Sequence, residues 1–393
     1  MDAGHMTSLR QRFTSGALLP LLLACSSTNT TTPLPEAGVV ADTEGASETD
    51  ATPSDDGKPS RSEACQALDA KLQTAVEKGR ANAKSPDAVL GVATPECGVS
   101  HYVTGTHGIA SDALYRIGSV TKTYVATVVL KMASEKLLGL EDVVEKYVPG
   151  VKNGTTVTVR QLLNHTSGLF NYTEDATFWT GSPTKVWAPQ ALVDVANGHD
   201  PYFAPGTSWH YSNTNFIVLG MIAEKVSGTK IGPLVRARVL TPNTLGSTFF
   251  DGEETVAGTL APGFDAKNAN VTEKYSPSWA WSAGAMVANI DDVTRWITRL
   301  GGGEVHDAVM QAEVLKTVAT DDPNLRYGLG IMVLSAGVTG GAGPGYGHGG
   351  DIYGYHTQSF HFPKKQTTIV AIVNKDGTNP NAISVEALTV LFP

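Results

Sequence analysis

The chain has 393 residues, 41% of them hydrophobic, which is enough for one large folded domain or for two lobes. Its formal net charge is −9, and most of that charge lies between Glu36 and Glu63, where eight acidic residues accompany Lys58 and Arg61. The rest of the chain is close to neutral and has no basic stripe, which argues against nucleic acid as a partner. Three cysteines and ten histidines are scattered without metal-ligand spacing, so we expect neither a metal nor a cofactor.

The first 25 residues have the pattern of an export signal. Arg10 and Arg12 precede an apolar run at 17–23 that is too short to span a bilayer as a helix. The run ends in Leu22-Leu23-Ala24-Cys25, which resembles the lipobox of bacterial lipoproteins and implies cleavage before Cys25 and lipid attachment to it. We therefore expect an exported lipoprotein of the cell envelope, periplasmic or anchored in the outer membrane. An ordinary signal peptide with a chance cysteine is the alternative.

A compositional change separates this signal from the folded part of the chain. Residues 26–62 are rich in Ser, Thr, Pro and acids and almost lack large apolar side chains, so we expect a disordered acidic tether. The remainder, 63–393, contains only two cysteines, and in an exported protein we expect Cys65 and Cys97 to pair. That disulfide would close a loop of about 32 residues and contribute roughly 3–4 kcal/mol.

The predicted elements of 63–393 follow one another in three groups. The first group has a helix capped by Ser62, a hairpin of strands 88–93 and 99–104, and a helix that begins at Ser119. The second group, from about 140 to 245, is mostly helical. Short hairpin turns in the last group favour an antiparallel sheet and an α+β fold. Its predicted elements are a small apolar segment at 282–287, a helix at 291–300, strands at 328–334, 353–362 and 367–373, and a closing helix at 381–391.

A serine followed three residues later by a lysine is the minimal pattern of an acylating hydrolase. It occurs at Ser119–Lys122, at Ser182–Lys185 and at Ser227–Lys230. Only the first pair opens a long run free of Gly and Pro, in which apolar residues recur at helical spacing. On a helix Lys122 would face Ser119 and could take its proton, provided that burial lowers the lysine pKa. A serine cap followed by a surface lysine is the alternative interpretation.

Two further motifs supply what a Ser/Lys pair lacks. Tyr211-Ser212-Asn213 is the only Tyr-Xaa-Asn in the chain, and it lies where a loop enters a predicted helix. Its phenol could hand a proton to a leaving group and its amide could hold a substrate carbonyl. His348-Gly349-Gly350 is the only His-Xaa-Gly, and it leads into the strand predicted to end near Phe362. Its glycines would let a substrate backbone come close.

Taken together, these motifs resemble those of the penicillin-recognising serine hydrolases, which include class C β-lactamases and D-alanyl-D-alanine carboxypeptidases. The resemblance covers roughly 85–393 and is closest to the carboxypeptidase branch, because the third motif begins with His. It implies a β-lactamase/DD-peptidase-like fold, an antiparallel sheet flanked by helices with an inserted helical lobe. We place the α/β lobe at about 63–145 and 270–393 and the helical lobe at about 146–269.

The resemblance also implies a role for each motif residue. Ser119 would be the nucleophile, Lys122 its base and Tyr211 the general acid/base. The oxyanion hole would be the backbone N–H groups of Ser119 and Asp351. The substrate would be held by residues that line the cleft: Asn213, Trp279, His348, Gly349 and Gly350.

Two departures from the family pattern concern the substrate carboxylate. Gly349 stands where peptidases and lactamases usually carry a hydroxyl, and 328–333 lacks the arginine of the carboxypeptidase branch. His348 remains as the one candidate cation, so we expect a carboxylate preference that is weak near pH 8 and grows as the pH falls.

We therefore expect a serine acyl-hydrolase that acts on D-Ala-D-Ala-type peptides or β-lactams. A broad-specificity carboxylesterase of the same fold is the alternative within the enzyme class. A non-catalytic protein that binds penicillin or peptidoglycan is the alternative outside it. The expected partners are a small-molecule or peptide substrate and a membrane reached through the lipid on Cys25.

Overall fold

The computed structural model describes residues 61–393. The predicted signal peptide, nearly all of the predicted tether and Cys25 lie outside the described residues. Within 61–393, no helix combines the length and the apolar character that a membrane crossing needs.

We number the helices and strands of the described chain in chain order. The α-helices of 61–393 are α1 Glu63–Ala83, α2 Thr121–Ser134, α3 Val159–Leu163, α4 Pro189–Asn197, α5 Asn213–Ser227, α6 Ile231–Val235, α7 Trp281–Gly284, α8 Ile290–Gly301, α9 Ala308–Val314 and α10 Asn381–Leu391. The strands are β1 Asp87–Thr94, β2 Gly98–Gly105, β3 Leu114–Arg116, β4 Thr248–Phe250, β5 Met286–Asn289, β6 Val318–Ala319, β7 Leu325–Tyr327, β8 Met332–Leu334, β9 Gly345–Ile352, β10 Tyr355–Phe362 and β11 Thr367–Val373.

The strands form two antiparallel sheets. The larger has eight strands in the order β2-β1-β11-β10-β9-β8-β7-β6, and the smaller has three in the order β3-β5-β4. The first and last parts of the described chain meet near the β2 edge of the large sheet, where Leu90 of β1 pairs with Ala371 of β11. The sheets and helices together confirm the predicted α+β fold with an antiparallel sheet.

Helix α2 is the centre of the hydrophobic core. Every residue from Thr121 to Leu130 is buried, so this helix is covered on all sides rather than along one stripe. One apolar cluster joins it to sheet residues such as Val370 and to α5 residues such as Phe216. The core therefore fixes the beginning of α2 between the sheet and the helical segment.

The first elements match their predicted boundaries closely. The Ser62 side chain caps α1 by accepting a hydrogen bond from the Cys65 backbone N–H, and β1 and β2 form the predicted hairpin. Cys65 and Cys97 form the expected disulfide. Between α2 and β4 the described chain has four helices and short helical turns, and the exact lobe limits stay a prediction.

The small apolar segment 282–287 forms the end of α7 and the start of β5. Two local predictions were wrong. Residues 328–334 form a turn followed by β8 rather than one strand. In that turn the Gly328 N–H donates to the Ile331 carbonyl, so apolar residues that look like a strand fold back on themselves. The His348 motif lies within a strand of its own, β9, which is paired to β10.

Candidate active site

Ser119 lies in a tight turn between β3 and α2. The turn is a 3-10 helix, Gly118–Val120, so Ser119 precedes α2 instead of opening it as predicted. Gly118 has φ +51°, a conformation that favours glycine. Ser119 is 7% exposed, and the turn holds its hydroxyl above the first turn of the buried helix.

Lys122, one residue into α2, brings its amine to within 2.9 Å of Ser119 Oγ. The amine also donates to Asn213 Oδ1 at 2.8 Å and to the Ala283 carbonyl at 2.7 Å. Lys122 is fully buried, and burial lowers its pKa well below the ordinary value of 10.5. A neutral amine has two N–H donors, which the two oxygens satisfy, so its lone pair is left to accept the proton of Ser119.

Tyr211 lies two residues before α5 and faces the same pair. Lys122 Nζ is 5.0 Å from the centre of its ring. Burial raises the Tyr211 pKa above its usual range, the nearby Asp351 carboxylate adds to the rise, and a hydrogen bond with Ser119 partly offsets both. Tyr211 is therefore a neutral phenol that can give a proton to a group leaving from Ser119.

Asn213, the first residue of α5, is held on three sides. Its Oδ1 accepts from Lys122, its Nδ2 donates to Thr173 Oγ1 at 3.2 Å, and its backbone N–H donates to Asn171 Oδ1 at 3.1 Å. The second Nδ2 hydrogen is the one that this geometry leaves for a substrate carbonyl.

Strand β9 passes directly beside the Ser119 turn. A Cβ on Gly350 would lie 2.1 Å from the Ile117 carbonyl oxygen and 3.2 Å from Ser119 N, and a Cβ on Gly118 would lie 2.8 Å from Asp351 N. Only glycine at 118 and 350 allows this approach. The approach brings the β9 backbone close to Gly118 and to the Ser119 backbone nitrogen, and an oxyanion hole formed by the N–H groups of Ser119 and Asp351 stays a prediction.

His348 does not serve as a cation, contrary to the expectation from sequence. Its ring is fully buried, with Nδ1 donating to the Gly349 carbonyl at 2.5 Å and Nε2 accepting from the Tyr327 hydroxyl at 2.8 Å. Burial lowers its pKa to about 3. The imidazole is therefore neutral, and the predicted growth of carboxylate preference down to pH 6 is withdrawn.

Trp279 belongs to an aromatic group beside the site. Its ring lies 5.1 Å from that of Trp179 and 5.9 Å from that of Tyr353, and its carbonyl accepts from the Tyr172 hydroxyl at 2.6 Å. Tyr353 directly follows Ile352, the last residue of β9, so the aromatic group lies at the end of the strand that contains Asp351.

Sequence reasoning missed several supporting residues. The Ala283 contact is made by a backbone carbonyl, which the residue type does not reveal, and Thr173 and Tyr327 belong to no recognisable motif. His165 lies in the stretch Leu162–Leu169, which the resemblance includes, but without a predicted role. Its left-handed backbone, φ 62°, is a structural signal that no pattern of residue types reveals.

The other two Ser/Lys pairs are not assembled for chemistry. Ser182 and Lys185 lie in an exposed turn, with the lysine amine 3.4 Å from the centre of the Trp187 ring. Ser227 ends α5, and its hydroxyl donates to the Ala223 carbonyl. Lys230 is exposed and pairs with Glu224.

The comparisons with known proteins agree with this architecture. A D-stereospecific amidohydrolase from Streptomyces sp. is 32% identical, with a TM-score of 0.73 over 82% of this chain and 98% of that chain. A D-amino acid amidase from Ochrobactrum anthropi SV3, 22% identical, has a TM-score of 0.75 over 83% of this chain and 99% of its own, and supports the fold alone.

Two sequence comparisons complete the assignment. Penicillin-binding protein 4* of Bacillus subtilis (strain 168) is 31% identical over 148 residues, which are 37% of this chain and 32% of that relative, so the match spans about a third of the relative's length. The profile of the Beta-lactamase family matches residues 72–391. The chain therefore belongs to the Beta-lactamase family of serine hydrolases.

Proposed function

We propose that this protein hydrolyses amide bonds in D-amino-acid peptides of the D-Ala-D-Ala type through an acyl-enzyme on Ser119, with β-lactams as reactive analogues. The observation that carries the proposal is the buried Lys122 amine, 2.9 Å from Ser119 Oγ and bonded to two further oxygens. The D-configuration rests on two similar proteins, one named for D-stereospecific amide hydrolysis and one as a penicillin-binding protein.

The proposed reaction has two acyl transfers. As Ser119 Oγ bonds to the substrate carbonyl carbon, its proton moves to the Lys122 amine, and the N–H groups of Ser119 and Asp351 stabilise the oxyanion. The C–N bond then breaks, the leaving amine takes a proton from Tyr211, and Tyr211 regains one from Lys122. Water then attacks the acyl carbon and gives a proton to Tyr211, which passes its own proton to Lys122. As the acid leaves, Ser119 Oγ takes that proton back from Lys122, and the free enzyme is restored.

A carboxylesterase activity is the second candidate, and one observation favours it. The two family positions that bind a substrate carboxylate hold Gly349 and an apolar strand, and His348 is neutral. A cleft without these donors does not require an anionic substrate. The intact Ser119–Lys122 contact supports an enzyme over a non-catalytic binder of penicillin or peptidoglycan.

A substrate panel tests the proposal. It contains an acetylated D-Ala-D-Ala peptide, its L,L isomer, a cephalosporin and a short-chain p-nitrophenyl ester, each assayed with wild type and with Ser119→Ala. We expect turnover of the D,D peptide that Ser119→Ala abolishes, with the L,L isomer much slower. Ester turnover without peptide turnover would support the esterase instead, and no Ser119-dependent turnover would favour the binder.

We also propose that the protein is exported and anchored to a membrane through a lipid on Cys25. The support is the sequence alone: a short apolar run that ends in Leu22-Leu23-Ala24-Cys25, followed by a polar acidic segment.

A further inference from the structure

The outward side of β9 carries a negative charge beside the site. Side chains alternate along a strand, so Gly349 and Asp351 are on the same face, opposite to that of His348 and Gly350. Gly349 offers no hydroxyl, while the Asp351 carboxylate, two residues along, has 38% of its side chain exposed. The face on which the family pattern places a carboxylate-binding hydroxyl therefore presents a carboxylate.

The Asp351 carboxylate is part of a charge cluster at the β9–β10 turn, built around the buried ring of His356. His356, its cross-strand partner, places Nδ1 2.5 Å from Asp351 Oδ1 and Nε2 3.6 Å from Asp376 Oδ1. Asp376 Oδ1 also accepts from the Gly354 N–H, which ties the cluster to the turn. Two carboxylates thus share one imidazole, and protonation of that ring leaves the cluster one negative charge in excess.

Within 61–393, the positions where the family pattern places a cation for the substrate carboxylate hold none. His348 is neutral and has both ring nitrogens engaged. The apolar strand β8 supplies no arginine, and Arg326 on β7 is directed to Thr317 by two hydrogen bonds of 2.7 Å. The charge of Asp351 also acts on groups beside Ser119, since it contributes a rise to the pKa of Tyr211 and to that of His348.

We propose that the Asp351 carboxylate selects against a carboxylate on the leaving-group side of the scissile bond. The substrates would then be D-amino-acid peptides whose leaving group is uncharged, such as a C-terminal amide, an ester or a bond inside a longer chain. This inference rests on the proposed acyl-enzyme and narrows its substrate class. It runs against a strict carboxypeptidase, which must bind the free carboxylate of the leaving D-Ala.

Like charges several ångströms apart near a protein surface repel strongly enough to change a rate by about tenfold. We therefore expect wild type to have kcat/KM about tenfold or more higher for acetyl-D-Ala-D-Ala amide than for the corresponding acid at pH 7.5. In Asp351→Asn this preference should fall by about tenfold, because the remaining imidazole favours the anion. The ratio of two substrates on one preparation is independent of how much of the variant has folded.

A control variant separates this charge effect from damage to the turn. Asp376→Asn removes the other carboxylate of the cluster, whose hydrogen bond is to Gly354, and should shift the ratio less than Asp351→Asn does. A wild-type preference for the free acid, or an amide-to-acid ratio unchanged in Asp351→Asn, would overturn the inference.

A second measurement does not depend on peptide turnover. Two aryl phosphonates that differ only in a carboxylate on the leaving phenol are compared by their rates of adduct formation on Ser119. The uncharged compound should react about tenfold faster with wild type, and Asp351→Asn should reduce that difference. If no peptide is hydrolysed but the phosphonate rates differ as expected, the proposed substrate is wrong and the charge selection still holds. Equal phosphonate rates in wild type would sink the charge selection alone.

Discussion

His165 bonds to the backbone on both sides of Tyr211. Its carbonyl accepts from the His210 N–H at 3.1 Å, and its Nδ1 accepts from the Ser212 N–H at 3.2 Å. Asn215 Nδ2 lies 3.0 Å from the same nitrogen, and the ring centres of His165 and Tyr211 are 4.3 Å apart. His165 therefore positions the proposed general acid/base through its backbone and its ring.

Removing the Nδ1 acceptor should slow the chemical step. His165→Phe keeps an aromatic ring against Tyr211 but leaves two donors unpaired, so we expect kcat to fall at least about tenfold with little change in KM. In His165→Asn the amide oxygen can accept in place of Nδ1, and a substantial part of kcat should return. Each kcat is normalised to the Ser119 sites titrated by a phosphonate. Equal normalised kcat in wild type and His165→Phe would argue against positioning.

Lys122 should determine the pH dependence of acylation. Because burial lowers its pKa well below 10.5, the base form is present far below that pH, and the acylation rate should level off before pH 10.5. Lys122→Ala should lose roughly a thousandfold or more in acylation, and Lys122→Arg should not recover it, since a guanidinium stays protonated. Stopped-flow acylation from pH 5 to 10.5 measures both effects. A rate still rising near pH 10.5 would contradict a neutral Lys122.

His356 should make the fold less stable in alkali. Its pKa is raised from 6.5 to about 9, despite burial, by the hydrogen bond to Asp351 and by the nearby Asp376 carboxylate. The folded chain thus binds this proton more tightly than the unfolded one, so the stabilisation is complete below pH 6.5 and lost as the pH rises through about 9. The loss is on the order of 3 kcal/mol.

Urea unfolding at pH 6 and pH 9.5 tests this effect. Wild type should lose more unfolding free energy between the two pH values than His356→Gln, in which the titrating group is absent. Identical losses in the two proteins would mean that the imidazole carries no such linkage.

The sequence predicted the parts of the site whose geometry is local. Ser119 and Lys122 share a helical spacing, and the tyrosine and histidine motifs are each the only match to their pattern in the chain, so these residues could be named from the pattern. The hydrogen bond from Tyr327 to His348 could not be predicted, because it depends on how β8 places β7 next to β9. The neutrality of His348 could not be predicted either, because it follows from burial by residues that are distant in sequence.

Lipidation of Cys25 would place the enzyme at a membrane. Full-length protein expressed in a bacterium with its own lipoprotein machinery should incorporate radiolabelled palmitate, and Cys25→Ala should not. Incorporation at the wild-type level in Cys25→Ala, or none in either protein, would refute the lipobox interpretation and leave an ordinary signal peptide.

The most direct test of the central claim is the mass and location of a covalent adduct. Wild type treated with a fluorophosphonate should gain one adduct mass, and peptide mapping should place it on Ser119, within the peptide that contains Lys122. Ser119→Ala should gain none. An adduct that persists in Ser119→Ala, or that maps to Ser182 or Ser227, would contradict the assignment of Ser119 as the nucleophile.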